Sequence, residues 1–63
     1  MKLQDLLKKT IPMSVLMTIG NFETSQTIYY RVYDYEIDNE YKNWEIIDID
    51  VNIDCLYIRI KKV

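Results

Sequence analysis

The chain has no histidine and only one cysteine, one glycine and one proline among its 63 residues. Without histidine, Ser14, Ser25 and Cys55 have no imidazole to activate them, and a conventional zinc site loses its nitrogen ligands. The single thiol of Cys55 cannot close an intrachain disulfide, and a free thiol with no bridges fits a reducing cytoplasm. No run approaches 18 consecutive apolar residues, so no membrane span is expected, and the charge-interrupted start MKLQDLLKK lacks the apolar stretch of a secretory signal. A chain of this size makes one domain, residues 1–63, and buries only about 60% of its unfolded surface. With no disulfide or metal to staple it, the expected source of further burial is self-association as a homodimer or higher oligomer. No cofactor and no metal are expected.

The net charge is small, and its placement is uneven. Ten acidic against eight basic residues leave a net charge of −2. All the positive charges except Lys42 lie in residues 1–9, at Arg31 or in residues 59–62, whereas residues 34–54 hold eight carboxylates. This asymmetry is the most informative feature of the sequence.

The organising stretch is residues 44–61, WEIIDIDVNIDCLYIRIK, which alternates apolar and polar residues with period 2 on both sides of a central break. Such alternation predicts two strands, each with one buried face. A two-residue connection at Asn52-Ile53, or a four-residue one from Val51 to Asp54, puts Ile49 opposite Leu56 and Ile47 opposite Ile58. Asp48 then lies opposite Tyr57, beside Arg59. Upstream, Leu3, Leu6, Leu7 and Ile11 share a helix face, with Asp5 and Lys8-Lys9 complementing its dipole and Pro12 ending it near Lys9 or Thr10. Residues 13–19 alternate as a strand with Met13, Val15, Met17 and Ile19 on one face. Gly20-Asn21 signals a turn, and residues 27–37 read as a second strand whose adjacent Tyr29 and Tyr30 leave room for a bulge. Asp38 can cap a short helical turn before Trp44. The predicted fold class is α+β: a short N-terminal helix followed by a mostly antiparallel four-stranded β-sheet.

Asp48, Asp50, Asn52 and Asp54 spell the opening of a calcium-binding loop, but Ile53 stands where that loop needs glycine and Arg59 where it needs a bidentate glutamate. Carboxylates two apart on a strand are also about 6.6 Å apart, too far to chelate one ion together. A solvated strand face is the simpler reading of these residues. The recurrence of Asp34, Glu36, Asp38 and Glu40 at every second residue is read the same way, as a row along one strand face. Carboxylates about 6–7 Å apart approximate the phosphate spacing of a nucleic-acid strand, so these four with Asp48 and Asp50 are expected to form an acidic docking surface. Six tyrosines, with Trp44 and Phe22, are expected first to pack in the core and a dimer interface, second to contact a partner and third to stack bases; in the partner-contact reading Tyr33, Tyr35 and Tyr41 are the anchors on that surface.

The pieces in residues 1–7, 13–19 and 45–60 resemble short phage and prophage accessory proteins, which open on an MK-x-x-DLL-like helix, continue with a hairpin and end in two alternating strands. Some of these are anti-CRISPR proteins, small inhibitors that block a bacterial CRISPR effector. The resemblance implies a mobile-element origin and action in a bacterial host's cytoplasm, and it supplies no catalytic residues. The leading expectation is therefore a non-enzymatic inhibitor of a host protein that handles nucleic acid, such as a CRISPR effector. A second reading has the chain contact DNA directly, binding, nicking or remodelling it, through Arg31, Arg59, Lys61 and Lys62. A third makes it a structural oligomer of a phage particle.

Overall fold

The alternation of Leu56, Ile58 and Ile60 with Tyr57, Arg59 and Lys61 gives β4 (Leu56–Lys61) one dry face and one wet one. Ile58 and Ile60 are fully buried. In the computed structural model, which describes residues 1–9 and 15–63, β4 is a central strand. Helix α1 (Leu3–Lys9) precedes β1 (Met17–Asn21) and β2 (Thr27–Val32); β3 (Glu45–Val51) and β4 follow. The sheet order is β2-β1-β4-β3. Two antiparallel hairpins thus lie side by side, joined by a parallel pairing of β1 with β4. The predicted α+β class and mostly antiparallel sheet are those observed; the parallel pair at the centre is the one exception to antiparallel pairing. No helix among the described residues is long and apolar enough to cross a membrane.

Leu3, Met17, Ile19, Ile37, Ile58 and Ile60 form the buried core. Each such side chain contributes about 1.5–3 kcal/mol when fully removed from water. Leu6 and Leu7 pack on this core from the helix. The helix starts where Asp5 accepts a hydrogen bond from the Lys2 N–H at 3.1 Å, satisfying one of the unpaired donors of a helix N-terminus. Thr10, Ile11 and Met13, which the sequence assigned to the helix end and the first strand, lie outside the described residues.

Several boundaries differ from expectation, each for a local reason. Gly20 and Asn21 belong to β1 rather than to the turn. The Asn21 carboxamide accepts from the Glu23 and Thr24 N–H groups, so the reversal is built after it, with Ser25 at φ 62°. Strand β2 stops at Val32 rather than Ile37. Its pairing with β1 slips twice, between Met17 and Ile19 and between Ile19 and Gly20. Arg31 sits at φ 54°, its N–H donating to Thr18 Oγ1 at 3.2 Å. The bulge resolves the Tyr29–Tyr30 ambiguity: Tyr29 packs against the core and Tyr30 is exposed.

The β3–β4 register also moves. Ile49 faces Ile58, Asp48 faces Arg59, Asp50 faces Tyr57 and Val51 faces Leu56. For residues 48–51 this is two residues from the expected pairing, a shift that keeps those side chains on their intended faces. The hairpin loop is therefore residues 52–55, closed by the Asn52 N–H donating to the Cys55 carbonyl at 3.0 Å. Cys55 accordingly ends this loop and is half-buried. Ile47, expected opposite Ile58, is the extra residue of a bulge between Ile46 and Asp48.

Candidate functional site

Because β2 and β3 occupy opposite edges of the sheet, the chain between them must cross it. Buried Ile37 shows which side it takes. It joins the cluster of Leu3, Ile19 and Ile58, so residues 33–44 run over the face that the helix also covers. Two 3-10 turns, Asp34–Glu36 and Asn39–Tyr41, make up half of this crossing. Asp34, Glu36, Asp38 and Glu40 therefore do not line a strand face, and the even spacing expected of them is lost. Asp48 and Asp50 project from β3 on the opposite, open face, level with Arg59 and Tyr57. The six carboxylates are thus divided between the two sides of the sheet.

The four carboxylates of the crossing remain together on one side, and none of them makes an ion pair among the described residues. Among the described residues the ion pairs join the Met1 ammonium to Glu45, Arg31 to Asp54 and Arg59 to Asp48. Glu36 has a local task, accepting from the Tyr33 N–H at 2.8 Å. Asp38 and Glu40 are exposed. The Tyr33 and Tyr35 rings stack at 5.7 Å with 16° between planes, and Tyr35 is 77% exposed. Between this turn and the helix runs a shallow cleft lined by Gln4, Leu7, Lys8, Asp34, Tyr35 and Lys42.

Tyr41 has a different role from the surface anchor expected of it. It is half-buried, edge-on to Tyr29 at 5.6 Å and tilted over Trp44 at 5.1 Å. Tyr29 carries a function that sequence pattern did not reveal. Its hydroxyl accepts from the Asp38 N–H at 3.0 Å and so ties the middle of the crossing to β2. Burial pushes the Tyr29 hydroxyl above its usual pKa; the hydrogen bond from the Asp38 N–H opposes this, and the Asp38 carboxylate adds to it. Tyr41 is raised likewise, by burial first and then by the negative charge and hydrogen bonding of Glu40.

On the open face, the Arg59 guanidinium makes two hydrogen bonds to the Asp48 carboxylate, and its carbon lies 5.6 Å from the Phe22 ring centre. The contact with Phe22 was not legible in the sequence, since it depends on how the β1–β2 turn folds back. Arg31 reaches Asp54 at 3.3 Å. Both arginines of the nucleic-acid reading are therefore held by carboxylates, while Lys61 and Lys62 stay exposed. In comparisons with known proteins, no family model matches this chain, and neither a curated protein nor a solved structure does.

Proposed function

We propose that the protein is a non-enzymatic inhibitor, of the kind carried by phages and other mobile elements. It docks on the basic groove of a nucleic-acid-handling protein, with a CRISPR effector as the specific target class, in the cytoplasm of a bacterial host. The observation that carries this reading is the β2–β3 crossing, where Asp34, Glu36, Asp38 and Glu40 have no cationic partner among the described residues and flank the exposed, stacked Tyr35. Unpaired carboxylates steer a protein toward a positive surface, and a rigid aromatic pair adds contact area at small entropic cost. Asp48 contributes less to such a surface, because Arg59 neutralises it. Direct binding to DNA is disfavoured by the same ion pairs that occupy Arg31 and Arg59.

The test is inhibition of target-DNA cleavage by a guide-loaded effector from the bacterial host, titrated with this protein at several salt concentrations. Inhibition is expected to weaken as salt rises, because exposed charges are screened beyond about 8 Å at physiological ionic strength. Asp38→Lys with Glu40→Lys is expected to abolish it while preserving the fold, since exposed positions usually change stability by less than about 0.5 kcal/mol. Salt-sensitive binding of the wild type to bare DNA, retained by the double reversal, would replace this reading with the nucleic-acid one.

A further inference from the structure

Strand β3 is the outer strand of the sheet, and only its beginning is covered. The chain's first residues lie along that edge: Lys2 pairs antiparallel with Glu45, and the Ile46 N–H donates to the Met1 carbonyl at 2.8 Å. The Met1 ammonium meets the Glu45 carboxylate at 3.1 Å. Beyond this point residues 47–51 have no strand beside them on the outer side among the described residues. Asp48 and Asp50 stand on one face of this edge, and Asp50 has no ion-pair partner among the described residues. Ile49 and Val51 stand on the other face, 41% and 76% exposed.

We propose that the free edge of β3, residues 47–51, is a strand-addition site for an extended segment that alternates apolar residues with lysine or arginine. Main-chain hydrogen bonds would supply the affinity, and the alternating faces the selectivity. Basic side chains of the incoming strand fall beside Asp50, and less effectively beside Asp48, which Arg59 already neutralises; its apolar ones fall beside Ile49 and Val51. The chain's own N-terminus already uses the same combination one step earlier, a main-chain ladder together with a cation on a carboxylate. A second copy of β3 fits poorly. Any antiparallel self-pairing centred within residues 48–50 that keeps apolar opposite apolar sets Asp48 or Asp50 against an aspartate of the other copy, a destabilising arrangement. This inference is independent of the acidic crossing, which lies on the other side of the sheet.

The experiment titrates the isotope-labelled protein with a blocked peptide, Lys-Val-Lys-Val-Lys-Val-Lys, and follows backbone amides by NMR. Saturable shifts centred on residues 47–51 are expected, with loss of binding when alternate peptide amides are N-methylated. Asp50→Lys is expected to weaken binding about five- to tenfold and to confer binding of the glutamate analogue of the peptide. Asp50→Asn serves as the milder variant should the reversal not fold. Asp38→Lys with Glu40→Lys is expected to leave the affinity unchanged. Absence of binding, equal binding of the N-methylated peptide, or shifts centred on residues 34–40 would overturn the proposal. A concentration-dependent dimer that protects the 47–51 amides would overturn it too, by assigning the edge to a second copy.

Discussion

Arg59 and Asp48 face each other across the β3–β4 hairpin as a two-point pair, with Nε donating to Oδ1 at 2.9 Å and Nη2 to Oδ2. The pairing depends on the bulge at Ile47, which advances β3 by one residue so that Asp48 falls level with Arg59. The hydrogen bond from Arg59 lowers the Asp48 pKa, opposed by burial and reinforced by the charge of the guanidinium. The same bond raises that of Arg59. Bidentate geometry of this kind is more specific than a lysine contact, so the pair also marks the register of the hairpin.

The first expected outcome follows from the direction of that shift. A carboxylate whose folded pKa is depressed contributes stability above its unfolded pKa and loses it as pH falls through the folded value. Asp48→Asn should therefore lower the urea midpoint at pH 7, and the difference from wild type should shrink as pH falls through the depressed folded value. Equal midpoints at pH 7 would mean that the pair fixes register without stabilising the fold. The pair is solvent-exposed, so the difference at pH 7 should also shrink in high salt.

The hairpin and its faces were legible because period-2 alternation in residues 45–51 and 56–61 leaves few acceptable pairings. A slip by two residues preserves every face, and for that reason pattern alone could not separate the expected register from the observed one. The row Asp34, Glu36, Asp38 and Glu40 misled for a related reason. Alternation there looks like a strand, but Ile37 in its midst is drawn into the core and the segment has a whole sheet to cross. Nothing local in the sequence states that β2 and β3 lie at opposite edges. The stacked Tyr33–Tyr35 pair sits among the predicted anchors, whereas Tyr29, which holds the crossing in place, matters through a partner nine residues away in sequence.

Thr18 offers a second test, because it is a buried polar side chain with a defined task. It is 5% exposed, and its hydroxyl accepts from the N–H of Arg31, a residue held at positive φ by the β2 bulge. Thr18→Val keeps the shape but leaves that donor without its partner, at a cost of about 1–3 kcal/mol. Thr18→Ser keeps the oxygen and removes one methyl, at a cost of about 0.5–1.5 kcal/mol by analogy with other single-methyl deletions. Chemical denaturation should rank valine as the more damaging change. The opposite order would mean that methyl packing, rather than the hydrogen bond, secures the bulge.

Tyr29→Phe links the fold to the docking surface. The change removes the acceptor for the Asp38 N–H while keeping the ring that meets Tyr41 edge-on. The global cost should be about 0.5–1.5 kcal/mol, the net worth of one such bond. Locally, hydrogen exchange at the Asp38 amide should quicken by more than that at the buried strands β1 and β4, because the crossing loses its tie to β2. Burial of the Tyr29 hydroxyl, which outweighs the opposing effect of that bond, has a pH signature. The Tyr29 pKa is raised, chiefly by burial, so its contribution is fully present below the unfolded pKa of about 10 and is lost as pH rises through the folded value. Wild type should therefore lose stability between neutral pH and about pH 11, and Tyr29→Phe should lose less, with the remainder due to Tyr41, whose hydroxyl is raised in the same direction. Urea midpoints for the two proteins across that range measure the difference directly. An ordered crossing also presents its carboxylates with less entropy to lose on binding. Tyr29→Phe is thus expected to weaken inhibition of the effector by a smaller factor than Asp38→Lys with Glu40→Lys, although it alters no charge. If inhibition were unaffected while the Asp38 amide exchanged faster, the order of the crossing would be irrelevant to docking and charge alone would account for it.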